Sequence, residues 1–314
     1  MKISNLNIPV SDKNTPRIIP TEFPLKTSEN LFCRDPYILL YGDSYYLYRS
    51  AQENGVECLV SNDLENWSEP IPVFIPPEGF HGCDDFFWAP ECHYYKGNFY
   101  IFTSVQSRKY GYNRVISVYR ANNPLGPFED IADGRVSPAN QDSIDGTLYV
   151  DEEGQPWMLF VHEWTSMPDD IGAMSVAKLS DDLSHLISEP IDLFKANDPS
   201  WTDDRVTDGP YIYVTDEGKM LMIWSNFTDK GYCIGLAHSE SAKITGPWIQ
   251  HDKLIYEKGM KDGFIYGGGH AMIFKAKDGR LMLSFHSPNS ETNGVKEHLT
   301  LMELEEKDGE LIIK

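Results

Sequence analysis

Asp35-Pro-Tyr-Ile-Leu-Leu-Tyr-Gly-Asp-Ser-Tyr-Tyr-Leu-Tyr48 contains a polar anchor, an apolar strand, a Gly-containing turn and an aromatic-rich second strand. The same design returns in Ala89-Pro-Glu-Cys-His-Tyr-Tyr-Lys-Gly-Asn-Phe-Tyr-Ile-Phe and in Asp145-Gly-Thr-Leu-Tyr-Val-Asp-Glu-Glu-Gly-Gln-Pro-Trp-Met-Leu-Phe. It returns twice more, in Asp208-Gly-Pro-Tyr-Ile-Tyr-Val-Thr-Asp-Glu-Gly-Lys-Met-Leu-Met-Ile-Trp and in Gly269-His-Ala-Met-Ile-Phe-Lys-Ala-Lys-Asp-Gly-Arg-Leu-Met-Leu-Ser-Phe. Anchors at 35, 89, 145, 208 and 269 lie 54, 56, 63 and 61 residues apart. A period of that length carrying several short strands predicts an all-β, five-bladed β-propeller. A lone blade has two apolar faces and can bury neither, whereas stacking in a ring buries both and leaves only short edges. The innermost strands then start around one axis, so five anchors distant in sequence converge on one pocket.

Working outward, the second half of each blade also recurs. Ser61-Asn-Asp-Leu and Ser180-Asp-Asp-Leu follow strands, and Gly126-Pro-Phe matches Gly246-Pro-Trp. Such Ser, Asp and Gly-Pro combinations are turn chemistry and are read as outer-strand turns. No window of a dozen residues has helical periodicity. One domain is expected over residues 1–314, with residues 1–30, rich in Pro, Asn and Thr, as an irregular N-terminal arm. Loops such as Glu78–Phe87 and Pro190–Arg205 are of moderate length and favour a pocket over a long open cleft.

Of 314 residues, 27 are Lys or Arg and 48 are Asp or Glu, a net charge of −21. Such a surface repels nucleic acid and anionic membranes, so neither is expected as a partner; neutral ligands suit it best. No apolar run reaches the roughly 18 residues of a membrane span. The N-terminus lacks the apolar stretch of a signal peptide, which leaves a cytoplasmic location or a periplasmic or secreted one with the signal removed. Oligomeric state is left open. The five cysteines have no CxxC spacing and predict neither a disulfide scaffold nor structural zinc. They are expected to be buried thiols, Cys33 and Cys92 lying close to anchors.

Three anchors are Asp followed by Pro or Gly: Asp35, Asp145 and Asp208. Alone, each dipeptide is a turn signal. Their recurrence at the axis implies carboxylates forced together, a repulsion tolerated chiefly at functional sites. Opposed carboxyl groups suit glycosidic hydrolysis, in which one acid protonates the leaving oxygen and one carboxylate activates water. Carboxyls on opposite sides of a ring have the wide separation of inversion, roughly 6.5–9.5 Å. Phe87, Trp88, Trp164, Trp201, Trp224 and Tyr266 are candidate sugar platforms, Trp88 and Trp164 foremost. His162 and Glu163 are secondary hydrogen-bonding candidates, and Arg205 is placed to orient a carboxylate or a substrate hydroxyl.

Arg34-Asp-Pro-Tyr-Ile, Trp88-Ala-Pro-Glu, Ser143-Ile-Asp-Gly, Thr207-Asp-Gly-Pro-Tyr-Ile-Tyr and Gly269-His resemble the blade-start motifs of glycoside hydrolase family 43. The motifs occur in order, one per blade, over about residues 30–290. The resemblance implies a five-bladed propeller that hydrolyses arabinose- or xylose-containing polysaccharides with inversion. It implies Asp35 as general base, Asp145 as the residue that tunes and orients the acid, and Asp208 as general acid. The family usually has Glu-Gly-Pro at that last position; Asp208 is one methylene shorter, which puts its reach in question. Glu91 is the fallback acid or a hydroxyl-binding group. The resemblance also implies an ion such as Ca²⁺ in the central channel, with His270 as a ligand or as a substrate contact; no cofactor is otherwise required. A neutral carbohydrate is the expected partner, and α-L-arabinofuranosidase the expected activity. β-Xylosidase, β-galactofuranosidase and a carbohydrate-binding propeller without catalysis are the alternatives.

Overall fold

The computed structural model describes residues 18–27, 31–50, 54–111, 113–132, 134–288, 297–307 and 309–314. They form five antiparallel sheets in chain order, one of six strands and four of four strands. Their innermost strands are Tyr37–Tyr41, Gly82–Tyr95, Ser143–Val150, Asp208–Val214 and Gly269–Lys275. The expected five-bladed propeller is therefore the fold. Each blade begins as the quoted repeat predicts: Tyr37 pairs with Tyr48 and Tyr41 with Ser44 across the Gly42-Asp43 turn.

Apolar packing lies between blades. Tyr100, Phe102 and Val118 of the second blade meet Met158, Phe160 and Ala177 of the third. Leu159, Val161 and Met174 of the third meet Met222, Trp224 and Ala237 of the fourth. Trp224 is fully buried, with its ring centroid 5.2 Å from Phe194 and 5.4 Å from Trp201. Trp224→Ala opens a cavity the rigid sheets cannot close, and a loss of about 3–5 kcal/mol is expected in urea unfolding. A loss below about 1 kcal/mol would mean that the interblade packing is far looser than its burial implies.

Among the described residues, the ring closes without exchange of a strand. The fifth sheet is built wholly from residues 269–313 and the first from 25–74. Phe32 bridges His298, the Cys33 N–H donates to Glu297 O at 3.0 Å, and Arg34 donates to both Glu297 oxygens at 3.0 and 3.3 Å.

Local expectations meet mixed outcomes. The Ser-x-Asp-Leu turns hold: Ser61 Oγ accepts the Leu64 N–H at 2.9 Å, and Ser180 Oγ accepts that of Ser184 at 3.2 Å. The N-terminal arm is not wholly irregular, because Leu25–Lys26 pairs with Asn66–Trp67 on the outer edge of the first blade; residues 1–17 and 28–30 lie outside the described residues. The supposed loop Glu78–Phe87 is largely strand: from Gly82 onward it extends the inner strand of the second blade. The segment 190–205 likewise contains the outer strand Ile191–Lys195 of the third blade. Among the described residues, the 3-10 turn Arg108–Tyr110 interrupts the β texture.

Candidate active site

In or just before each inner strand one residue is in the left-handed region at the same station: Asp35 (φ 51°), Ala89 (46°), Asp145 (54°), Gly209 (48°) and His270 (53°). In the last four blades the ladder slips by a bulge at that residue. Bulges re-aim side chains, and in those four blades they turn the residue at the ring's axis. This corrects the anchor register inferred from sequence. The stations in the fourth and fifth blades are Gly209 and His270, one residue beyond the expected Asp208 and Gly269. Asp208 is thus equivalent to Arg34, Trp88, Ile144 and Gly269. Gly209 is required at its station: a Cβ there would lie 2.9 Å from the His270 Cα, in a backbone region side chains disfavour.

A ring of cross-blade hydrogen bonds holds these stations. Ser50 Oγ accepts the Ala89 N–H at 2.8 Å, Ser104 Oγ that of Asp145 at 2.9 Å, and Ser225 Oγ that of His270 at 2.7 Å. His286 Nδ1 accepts the Asp35 N–H at 3.1 Å and closes the circle from the fifth blade to the first. The remaining N–H, on Gly209, donates to Asp145 Oδ2 at 2.9 Å.

The side chains converge as expected. His270 Nδ1 lies 3.3 Å from Asp35 Oδ1 and 3.8 Å from Asp145 Oδ2. Asp35 Oδ2 accepts from Ser50 Oγ at 2.6 Å and lies 3.7 Å from Arg34 Nε. Asp208 Oδ2 accepts from the Tyr232 hydroxyl at 3.0 Å. Asp35, Asp145 and His270 are buried, and Asp208 is half-buried.

Their surroundings separate the carboxyls. Burial acts to raise Asp35, but His270, Arg34 and the Ser50 hydroxyl outweigh it and hold the group below the usual carboxylate range. Burial raises Asp145; His270 and the Gly209 N–H oppose it, and Asp35 adds to it. Burial, then repulsion from Asp145 and Asp35, pushes Asp208 well above the ordinary range. His270 is raised overall, burial being outweighed by the carboxylates around it. His286 is pushed by burial down to about 3 and is neutral, in keeping with its Nδ1 accepting an N–H. The arrangement can present one ionised and one protonated carboxyl group at neutral pH, the pairing acid–base chemistry needs.

Other expected residues divide. Trp88 is 40% exposed and stacks on Phe86 with centroids 3.7 Å apart, at the station in the second blade that Asp208 holds in the fourth. Glu91, the expected fallback acid, is buried, with its carboxylate 3.0 Å from His93 Nε2. Glu163 is buried, forms an ion pair with Arg114, and is pushed up by burial. His162 pairs in the sheet with Ser143 and Ala173; burial lowers it, and its Nε2 has no hydrogen-bond partner among the described residues. The Trp164 ring packs beside Gly172, whose N–H donates to the carbonyl of exposed Arg205 at 2.9 Å. Among the described residues, no hydrogen bond or ion pair links His162, Trp164 or Arg205 to the three aspartates. Phe87 and Trp224 belong to the interblade core and cannot serve as platforms. Cys33 and Cys92 are free, fully buried, and pushed up by burial to about 12.

Among the described residues, no group of three or more His, Cys, Asp or Glu is placed to hold a metal ion. Calcium takes six to eight oxygen ligands, whereas His270 offers one nitrogen beside two carboxylates. An ion beside His270 would draw most of its oxygen ligands from water, and no catalytic step is assigned to a metal.

Sequence reading passed over Ser50, Tyr232, His286 and Glu297. A signal existed for the first: Ser50, Ser104 and Ser225 each follow the last aromatic residue of a quoted repeat, Tyr48, Phe102 or Trp224, by one or two residues. None existed for Tyr232, on a third strand.

The family model of glycosyl hydrolases family 43 matches residues 29–311. Among curated proteins, the chain is 24% identical over 241 residues to the extracellular endo-α-(1→5)-L-arabinanase 1 of Bacillus subtilis, covering 73% of this chain and 71% of that protein. It is 26% identical to the extracellular exo-α-(1→5)-L-arabinofuranosidase of Cellvibrio japonicus over 68% of this chain and 65% of that one. Among solved structures, the endo-arabinase of Bacteroides thetaiotaomicron superposes with a TM-score of 0.80 at 36% identity, covering 92% of this chain and 99% of its own.

Proposed function

The chain belongs to glycosyl hydrolase family 43 and is a glycosidase, and from that premise we propose that it hydrolyses α-L-arabinofuranosyl linkages with inversion. Asp35 acts as general base, Asp208 as general acid, and Asp145 holds and tunes the acid. One observation carries this reading: neighbouring carboxyls around one axis are driven in opposite directions, Asp35 down and Asp208 up. A base must be ionised and an acid protonated at the same pH, which requires such a split. Tyr232 donates to Asp208 Oδ2 and leaves the other carboxyl oxygen for the leaving group. Arg34 and Ser50 steady Asp35 while water is activated. Trp88 offers its exposed face to a sugar.

The first reading is exo-action, as an α-L-arabinofuranosidase that removes terminal arabinose. A second, endo-action within α-1,5-arabinan, is favoured by the 36% identity to a chain described as an endo-arabinase. Debranched arabinan separates them. Arabinose as the sole early product is expected for exo-action, whereas arabino-oligosaccharides would establish the endo reading. Release of xylose from xylo-oligosaccharides, with arabinan untouched, would sink both.

A further inference from the structure

The ring of cross-blade bonds is broken at one station. In the ladders, Trp88 pairs with Ser104, Ile144 with Val161, Asp208 with Ser225 and Gly269 with His286, while the Ser50 N–H donates to Arg34 O at 3.0 Å. Ser50, Ser104, Val161, Ser225 and His286 are therefore one residue repeated five times. Four of them present an oxygen or nitrogen to the next blade's left-handed N–H. Val161 is fully buried and cannot.

Asp35 and Asp145 occupy the same backbone station, with φ 51° and 54°, in blades that differ at this residue. Beside Asp35, the Ser50 hydroxyl is interposed: it accepts the Ala89 N–H at 2.8 Å and donates to Asp35 Oδ2 at 2.6 Å. In the third blade the residue equivalent to Ser50 is Val161, which has no hydroxyl, and the Asp145 carboxylate itself takes the Gly209 N–H at 2.9 Å. We infer that Val161 is a positioning residue: by leaving the Gly209 N–H without a hydroxyl partner, it draws the Asp145 carboxylate onto the fourth blade, beside Asp208. An unsatisfied buried N–H is costly, so the nearest acceptor is recruited. The one apolar side chain in the ring thereby makes two equivalent aspartates perform different tasks. This inference rests on the proposed roles of Asp145 and Asp208 only for its kinetic consequence; the hydrogen-bond assignment stands apart from them.

The test uses Val161→Thr, which keeps the volume and adds a hydroxyl, with Val161→Ala as the apolar control. In protein labelled with ¹⁵N-glycine, the Gly209 amide proton is expected to move upfield in Val161→Thr, as a hydroxyl replaces a carboxylate as acceptor, and to stay in place in Val161→Ala. On arabino-oligosaccharides, kcat is expected to fall about 10- to 100-fold in Val161→Thr with KM little changed, the scale of a misplaced catalytic group. The reciprocal Ser50→Val covers the case in which a buried hydroxyl at 161 prevents folding: Asp35 should then take the Ala89 N–H directly and move that amide downfield. An unmoved Gly209 amide in folded Val161→Thr, an equal movement in Val161→Ala, or an unmoved Ala89 amide in Ser50→Val would overturn the inference. Amides that move as expected in a protein inactive on every arabinan substrate would leave it standing and remove the proposed function instead.

Discussion

Asp35→Asn is expected to lower kcat by about 10²–10⁴-fold, the usual contribution of a positioned acid or base. The loss should be the same for aryl α-L-arabinofuranosides and for arabino-oligosaccharides. Water must be deprotonated in either case, and an amide cannot accept that proton. The substitution is isosteric and Asn keeps an oxygen to accept from Ser50, so the fold and substrate binding should survive, with KM changed little. The base limb of catalysis has a sign that can be worked out. Asp35 is held below the ordinary carboxylate range, so it remains ionised as the pH falls, and activity should fade only when the pH drops through that depressed value. Wild-type-like turnover by Asp35→Asn would remove Asp35 from the reaction and, with it, the assignment of roles around the axis.

Asp208→Asn has the second large effect, and it depends on the leaving group. Oligosaccharide hydrolysis needs a proton on the departing alcohol, so a loss of about 10²–10⁴-fold is expected there. A nitrophenolate departs without protonation, so the same variant should retain most of its kcat on the aryl glycoside. The pH dependence runs opposite to that of Asp35. Asp208 is raised well above its usual value by burial and by Asp145; its active form is protonated, and activity declines as the pH rises through that raised value. In Asp208→Asn the alkaline limb should vanish for the aryl substrate while the acid limb, set by Asp35, remains. Equal losses on both substrates would assign Asp208 to binding and leave proton delivery to another group.

Asp208 also bears on whether the shorter acid can reach. Its carboxyl is steadied by Tyr232, an aromatic packed between Phe227 and His286 at centroid distances of 4.8 and 5.6 Å. Gly269, where a Cβ would lie 2.4 Å from the Tyr232 ring, lets that ring come close. The aspartate is thus a held group, a circumstance that favours catalysis over a carbohydrate-binding propeller without it.

Much of this was legible in the chain itself. Asp35-Pro-Tyr-Ile-Leu-Leu-Tyr-Gly-Asp and its four repeats carry apolar alternation, turn residues and spacing, all local properties, and these determine the blades and their number. Because a propeller brings every blade start to its axis, the same repeat determines that Asp35, Asp145 and Asp208 gather around His270. Other features depend on contacts no local pattern encodes. The station of Gly209 rather than Asp208, the pairing of Glu91 with His93, and the burial of Phe87 and Trp224 emerge only when blades face one another. So does the division of labour among the carboxyls. Asp35 is shaped by His286, 251 residues away, and Asp145 by Gly209, 64 residues away. A carboxyl group's proton affinity is set by burial and by the charges within a few ångströms of it, and those neighbours are chosen by the closed ring, not by the order of residues along the chain.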